Sequence, residues 1–166
     1  LTIYDLSVGD TPTQLASLGT LGDGRKLTVH SGVAYIADGY GGLHLVDVSQ
    51  PAKPIGLSSY PAFGGELRDM SITADHLLHM ADGNFGLKIV DVSNPTDLRG
   101  VGVAKTDGAF GVSGSGDYAY VADWTSGFKV VDVSDPAHPA IVASLYGDGP
   151  DSTWGFCEWW DLCSVR

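Results

Sequence analysis

The chain has 166 residues, 43% of them apolar and 10% aromatic, which suffices for one domain with a sizeable core and excludes general disorder despite 23 Gly and 8 Pro. Its formal net charge of −11 disfavours a nucleic-acid backbone or an anionic membrane as partner, because either would repel a surface of this sign. No run of about 18 apolar residues is present, so no spanning helix is expected; with Leu1 first and no basic-then-apolar leader, the sequence reads as a processed product or a piece of something larger.

Taken in chain order, the first twenty residues offer two short strands, "LTIYDLS" and "TQLASL". Four strands follow over about 25–62: "KLTVHSG", "VAYIAD", "LHLVDV" and "IGLSSY". The scheme recurs over about 66–105 as "RDMSIT", "LLHMAD", "LKIVDV" and "RGVGVAK", and again over 108–147 as "GAFGVSGSG", "YAYVAD", "FKVVDV" and "AIVASLYG". Each segment is bounded by Gly, Asp, Ser or Pro, and none has helical spacing.

Two acidic landmarks set the period. Asp5, Asp47, Asp91 and Asp132 recur at 42, 44 and 41 residues, and Asp38, Asp82 and Asp123 at 44 and 41. A period of 40 to 45 residues with four short strands predicts an all-β propeller built from four-stranded blades of about 42 residues. A strand such as "LKIVDV" is apolar on both faces, with Leu87 and Ile89 on one and Val90 and Val92 on the other, as expected of a blade packed between two others. Gly42, Gly86 and Gly127 end the turn between second and third strands, where a positive φ would close a hairpin. Pro51, Pro95 and Pro136 stop the ladder after the third strand.

The last sixteen residues, "DSTWGFCEWWDLCSVR", lie over "DGAFGVSGSGDYAYVA" at a constant offset of 44, which makes 152–166 a divergent first and second strand. The first twenty residues are then a third and a fourth. Four repeat lengths result, and two closures stay open: a four-bladed ring with a composite blade, or part of a larger ring.

At "YVAD", "GLKIVDVS" and "DPAHP" the sequence resembles the LVIVD-repeat family of β-propellers, over nearly the whole chain. The resemblance implies a bacterial or archaeal surface or secreted protein of non-catalytic role. It carries over no catalytic residue.

Site candidates are read against plainer alternatives. Cys157 and Cys163 are the only cysteines; without a suitably placed His pair they point away from zinc and toward a disulfide across a terminal hairpin, hence an oxidising compartment. Asp47, Asp91 and Asp132 read as structural turn acids, each accepting N–H bonds from the following Ser-x-Pro turn at a corner buried between blades, with Ser49, Ser93 and Ser134 in the same network. Asp38, Asp82 and Asp123 precede Gly-rich loops that could take Ca²⁺, but no "DxDxDG" run gathers oxygens on one ion, so turn capping is expected and no cofactor or metal is assigned. His76 and His79 are three apart on a predicted strand and would face opposite ways, against a shared metal.

The loops "DGYGG", "DGNFG" and "DWTSG" each carry one ring, Tyr40, Phe85 and Trp124, expected on a common rim. There they would either bind a protein or glycan or lid the neighbouring blade. Trp154, Phe156, Trp159 and Trp160 are candidates for an assembly edge through which copies complete a ring or filament. No "GxSxG" elbow or spaced acid pair marks a reaction centre. The expectation is a non-enzymatic extracellular or cell-surface binding or assembly module, the alternatives being an enzyme at the channel mouth or a purely structural filament subunit.

Overall fold

The structure, a computed structural model, describes residues 1–7, 11–20 and 22–146. Its first sheet has two strands, β1 (Thr2–Asp5) and β2 (Thr13–Ser17). Three four-stranded sheets follow: β3 (Lys26–His30), β4 (Val33–Ala37), β5 (Leu43–Asp47) and β6 (Ile55–Tyr60); β7 (Asp69–Ile72), β8 (Leu77–Ala81), β9 (Leu87–Asp91) and β10 (Arg99–Ala104); β11 (Gly111–Ser115), β12 (Tyr118–Ala122), β13 (Phe128–Asp132) and β14 (Ala140–Leu145). Each is an antiparallel meander in chain order, so these are the blades of a β-propeller, and each coincides with one sequence repeat.

Alternation along the strands decides which blade each side chain meets. Leu87 and Ile89 of β9 join Val112, Val121 and Val131 of the third blade. Val90 and Val92, pointing the other way, join Tyr35, Leu43 and Leu45 of the first. The core is therefore a series of seams between sheets, and neither seam exists without both neighbours. The two-stranded sheet adds a third seam, where Leu1 and Leu18 pack on Ala34, Ile36 and Val46.

Two backbone devices recur with the repeat. The register between third and fourth strands shifts at Leu45/Val46, at Gly100/Gly102 and at Val130/Val131, a bulge that raises local twist in each blade. Gly42, Gly86 and Gly127 hold φ of 82°, 81° and 76°. A Cβ at Gly86 would lie 2.4 Å from the carbonyl oxygen of Ala104, so both the turn and the closeness of the outer strand require glycine there.

Consecutive blades are also tied at one end. Leu67 N–H donates to the Gly39 oxygen at 3.0 Å, and Gly83 and Ala109 exchange N–H···O bonds at 3.0 and 2.9 Å. Each tie docks the loop between second and third strands of one blade onto the lead-in to the inner strand of the next. Among the described residues, no helix is long and apolar enough to cross a membrane.

Candidate functional site

Those ties determine what stands at the rim. The loop after β4 carries Tyr40, the loop after β8 carries Phe85, and a single 3₁₀ turn after β12, Trp124–Ser126, carries Trp124. The structure brings all three to the lining of one cleft of about 360 Å³, beside Glu66, Arg68 and Phe110 from the lead-in loops. Tyr40 is 76% exposed, Phe85 43% and Trp124 49%, so none of the rings is spent on filling a core. Trp124 sits at φ 33°, a conformation costly for a bulky side chain, and such positions persist where the surroundings over-determine them.

The polar wall of the cleft is a continuous ladder across three blades. The Trp124 and Phe110 rings lie 5.4 Å apart at 46°, and the Arg68 guanidinium stands 4.0 Å above the Phe110 ring. Arg68 Nη2 donates to Glu66 Oε2 at 2.5 Å, and Arg25 Nη2 donates to Glu66 Oε1 at 2.7 Å. Below it, Asp69 joins the inner strands of all three blades: Lys26 Nζ lies 3.1 Å from Oδ1, and the buried Val112 N–H donates to Oδ2 at 3.0 Å. Charges at the mouth are thus matched in place, and a guanidinium held over a ring by its carboxylate partner is oriented before any ligand arrives.

Phe110, Arg68, Glu66 and Asp69 escaped the sequence reading. The one available signal was the Arg directly before the inner strand in two repeats, Arg25 and Arg68, with Phe110 in the third. No single-repeat motif links Arg68 to a ring 42 residues away.

The recurring acids divide differently from expectation. Asp47, Asp91 and Asp132 do accept the N–H of Ser49, Ser93 and Ser134 at 2.8, 2.9 and 2.9 Å, and the serine hydroxyls together with these N–H groups hold their carboxyls below the ordinary value. Yet the corner is at the surface and not buried between blades, because the Ser-x-Pro turn projects past the end of the sheet. Its contribution to the seam is indirect: Ser58 Oγ donates to the Pro95 oxygen at 2.6 Å, seating the turn of one blade on the outer strand of the preceding one.

Among the recurring acids the buried ones are Asp38, Asp82 and Asp123, each at most 1% exposed. Asp38 accepts the Gly22 N–H at 2.6 Å and the Thr20 hydroxyl at 3.0 Å; Asp123 accepts the Gly108 N–H at 2.8 Å. Capping holds for these two but not for Asp82. In the second blade the Gly65 N–H turns to the Ala62 oxygen, and Lys88, itself buried, bonds the Asp82 carboxylate in its stead. Burial raises the Asp82 pKa, which Lys88 opposes. Among the described residues, no three His, Cys, Asp or Glu gather as metal ligands.

The histidines need one correction as well. His76 lies in the turn before β8, exposed and at φ 59°, so only His79 is on the strand. His79 is buried in the seam with the third blade, its Nδ1 without a hydrogen-bond partner, and burial lowers its pKa to about 4. Cys157, Cys163, Trp154, Phe156, Trp159 and Trp160 lie outside the described residues, as does the whole 152–166 strand pair.

A family model described as the LVIVD repeat matches residues 21–61, 64–106 and 108–146, one match per four-stranded blade. The chain belongs to the LVIVD-repeat family. No curated protein matches it. Among solved structures it is similar to PorZ, described as an essential bacterial surface component of the type-IX secretion system of Porphyromonas gingivalis. That match has 17% identity and a TM-score of 0.49, and covers 75% of this chain but 16% of the PorZ chain. The three rim loops of this chain close alike, the N–H of Asp38, Asp82 and Asp123 donating to the oxygens of Gly42, Gly86 and Gly127 at 2.8, 3.0 and 2.7 Å.

Proposed function

We propose that this LVIVD-repeat propeller is a non-enzymatic recognition module at the cell surface or outside the cell, binding a protein or glycan partner through the rim cleft. The observation that carries the reading is the convergence of Tyr40, Phe85 and Trp124, from three successive blades, on one open cleft. Rings left exposed on a rigid frame lose little freedom on binding, so their contact area is available for affinity. The only carboxylate lining the cleft among the described residues is Glu66, and both its oxygens are engaged by arginines. That arrangement supports binding over acid–base catalysis, for which a carboxyl group must be free to exchange a proton.

The test is a pair of variants, Trp124→Ala and Tyr40→Ala, examined for thermal unfolding and for retention of surface partners together. Native melting with lost retention supports the cleft as a recognition site. A large loss of stability in both variants would instead make the rings lids on their neighbouring blades and refute the reading.

A further inference from the structure

We infer that the ligand of this cleft is a neutral glycan, an oligosaccharide of pyranose rings stacked on the rim aromatics. The inference rests on the recognition reading above and narrows it to one chemistry.

Three features of the cleft select a sugar. The first is shape. At about 360 Å³ the cleft falls in the range of small-ligand sites, whereas a protein partner needs roughly 800 Å² of contact on each side and would have to extend far beyond it. The second is the alternation of flat apolar and planar polar groups. A pyranose has an apolar C–H face that lies on an aromatic ring and a girdle of hydroxyls that both donate and accept. The ladder from Trp124 through Phe110 to Arg68 and Glu66 presents a ring face followed directly by a guanidinium and a carboxylate. Arg68, the arginine lining the cleft, has five N–H donors and its hydrogen bond to Glu66 uses one, so donors remain for sugar hydroxyls, and Asn84, also in the lining, adds an amide that can donate and accept.

The third feature is charge. Arg25 and Arg68 share Glu66, and Lys26 is paired with Asp69, so among the described residues no cation at the mouth waits for an anionic partner. An acidic polymer would also meet a chain of net charge −11. A ligand without charge but rich in hydroxyls is the class that meets neither obstacle. The packing of the Trp124 ring on Phe110, at 5.4 Å, fits the same account, because it orients the largest ring before the ligand arrives.

The experiment uses the whole 166-residue chain, titrated by calorimetry with cellotetraose, mannotetraose, chitotetraose and tetragalacturonate. In parallel, a displayed random-peptide library is selected on the same chain. Expected is binding of at least one neutral tetrasaccharide, weakened about tenfold or more by Trp124→Ala and by Tyr40→Ala, and about tenfold by Arg68→Met, with melting temperatures unchanged. Binding of tetragalacturonate alone, or neutral binding indifferent to Trp124→Ala, overturns the assignment. Peptides that depend on Trp124 while every sugar fails would remove the glycan and leave the recognition cleft; failure of both arms would remove both.

Discussion

Lowering the pH from 7 to 4 is expected to destabilise the fold through His79. This imidazole is 1% exposed in the seam between second and third blades, and burial lowers its pKa to about 4, against about 6.5 when exposed. Above pH 6.5 it is neutral in folded and unfolded chains alike. Between 6.5 and 4 the unfolded chain takes up a proton that the folded one refuses, so stability is lost as the pH falls and the loss is complete near pH 4. Each tenfold difference in proton affinity is worth about 1.4 kcal/mol, which puts the whole effect at about 3 kcal/mol. For a domain of this size that is a fall of roughly 6–12 °C in Tm. Asp47, Asp91 and Asp132, whose folded pKa values are lowered, lose their contribution only below the ordinary carboxylate range, and Asp82, whose pKa is raised, opposes the trend. Thermal unfolding followed by circular dichroism at pH 7, 6, 5 and 4.5 on the native chain and on His79→Leu isolates the histidine, since the substitution removes the titration at similar volume. The variant's Tm should change much less over that interval. Equal slopes for the two proteins would refute the argument.

Three further outcomes follow from the seams and turns. Asp69→Ala leaves the Val112 N–H buried without an acceptor and should cost about 2–3 kcal/mol by denaturant titration, the half-exposed Lys26 pair adding little. Lys88→Met strands the Asp82 carboxylate and should cost about 3–5 kcal/mol, most of which the double variant with Asp82→Leu recovers. Gly86→Ala places a Cβ 2.4 Å from the Ala104 oxygen at a φ of 81°, and a loss of more than about 2 kcal/mol is expected in the same titration.

Much of the architecture was legible because it is local. The apolar alternation of "LKIVDV" states which residues face which neighbour, and Gly86 states where the hairpin closes. Partnership over distance was not legible. Asp82 and Asp123 are matching acids at strand ends and equally buried, yet one is bonded by Lys88 and the other by a glycine N–H. The difference lies in where the Gly65 N–H points, 17 residues upstream of Asp82. Asp69 has no counterpart in the other two repeats, where Lys26 and Gly111 occupy its place, so the period that exposed the fold concealed the residue that fastens three blades. The rings of the cleft were legible as a recurrence, whereas the ladder of Phe110, Arg68 and Glu66 depends on contacts between blades.

The docking of the first two rim loops onto the following blade, through Gly39 to Leu67 and Gly83 to Ala109, has an evolutionary corollary. The pitch at which the loops are displayed is inherited from the scaffold, while the placing and identity of their side chains are left to the three residues between Asp and Gly in each. The ring accordingly stands second in the first loop, third in the second and first in the third, as Tyr40, Phe85 and Trp124, above the same closing bond. A lineage built this way can retarget by point substitution, and its paralogues should vary in taste long before they vary in shape.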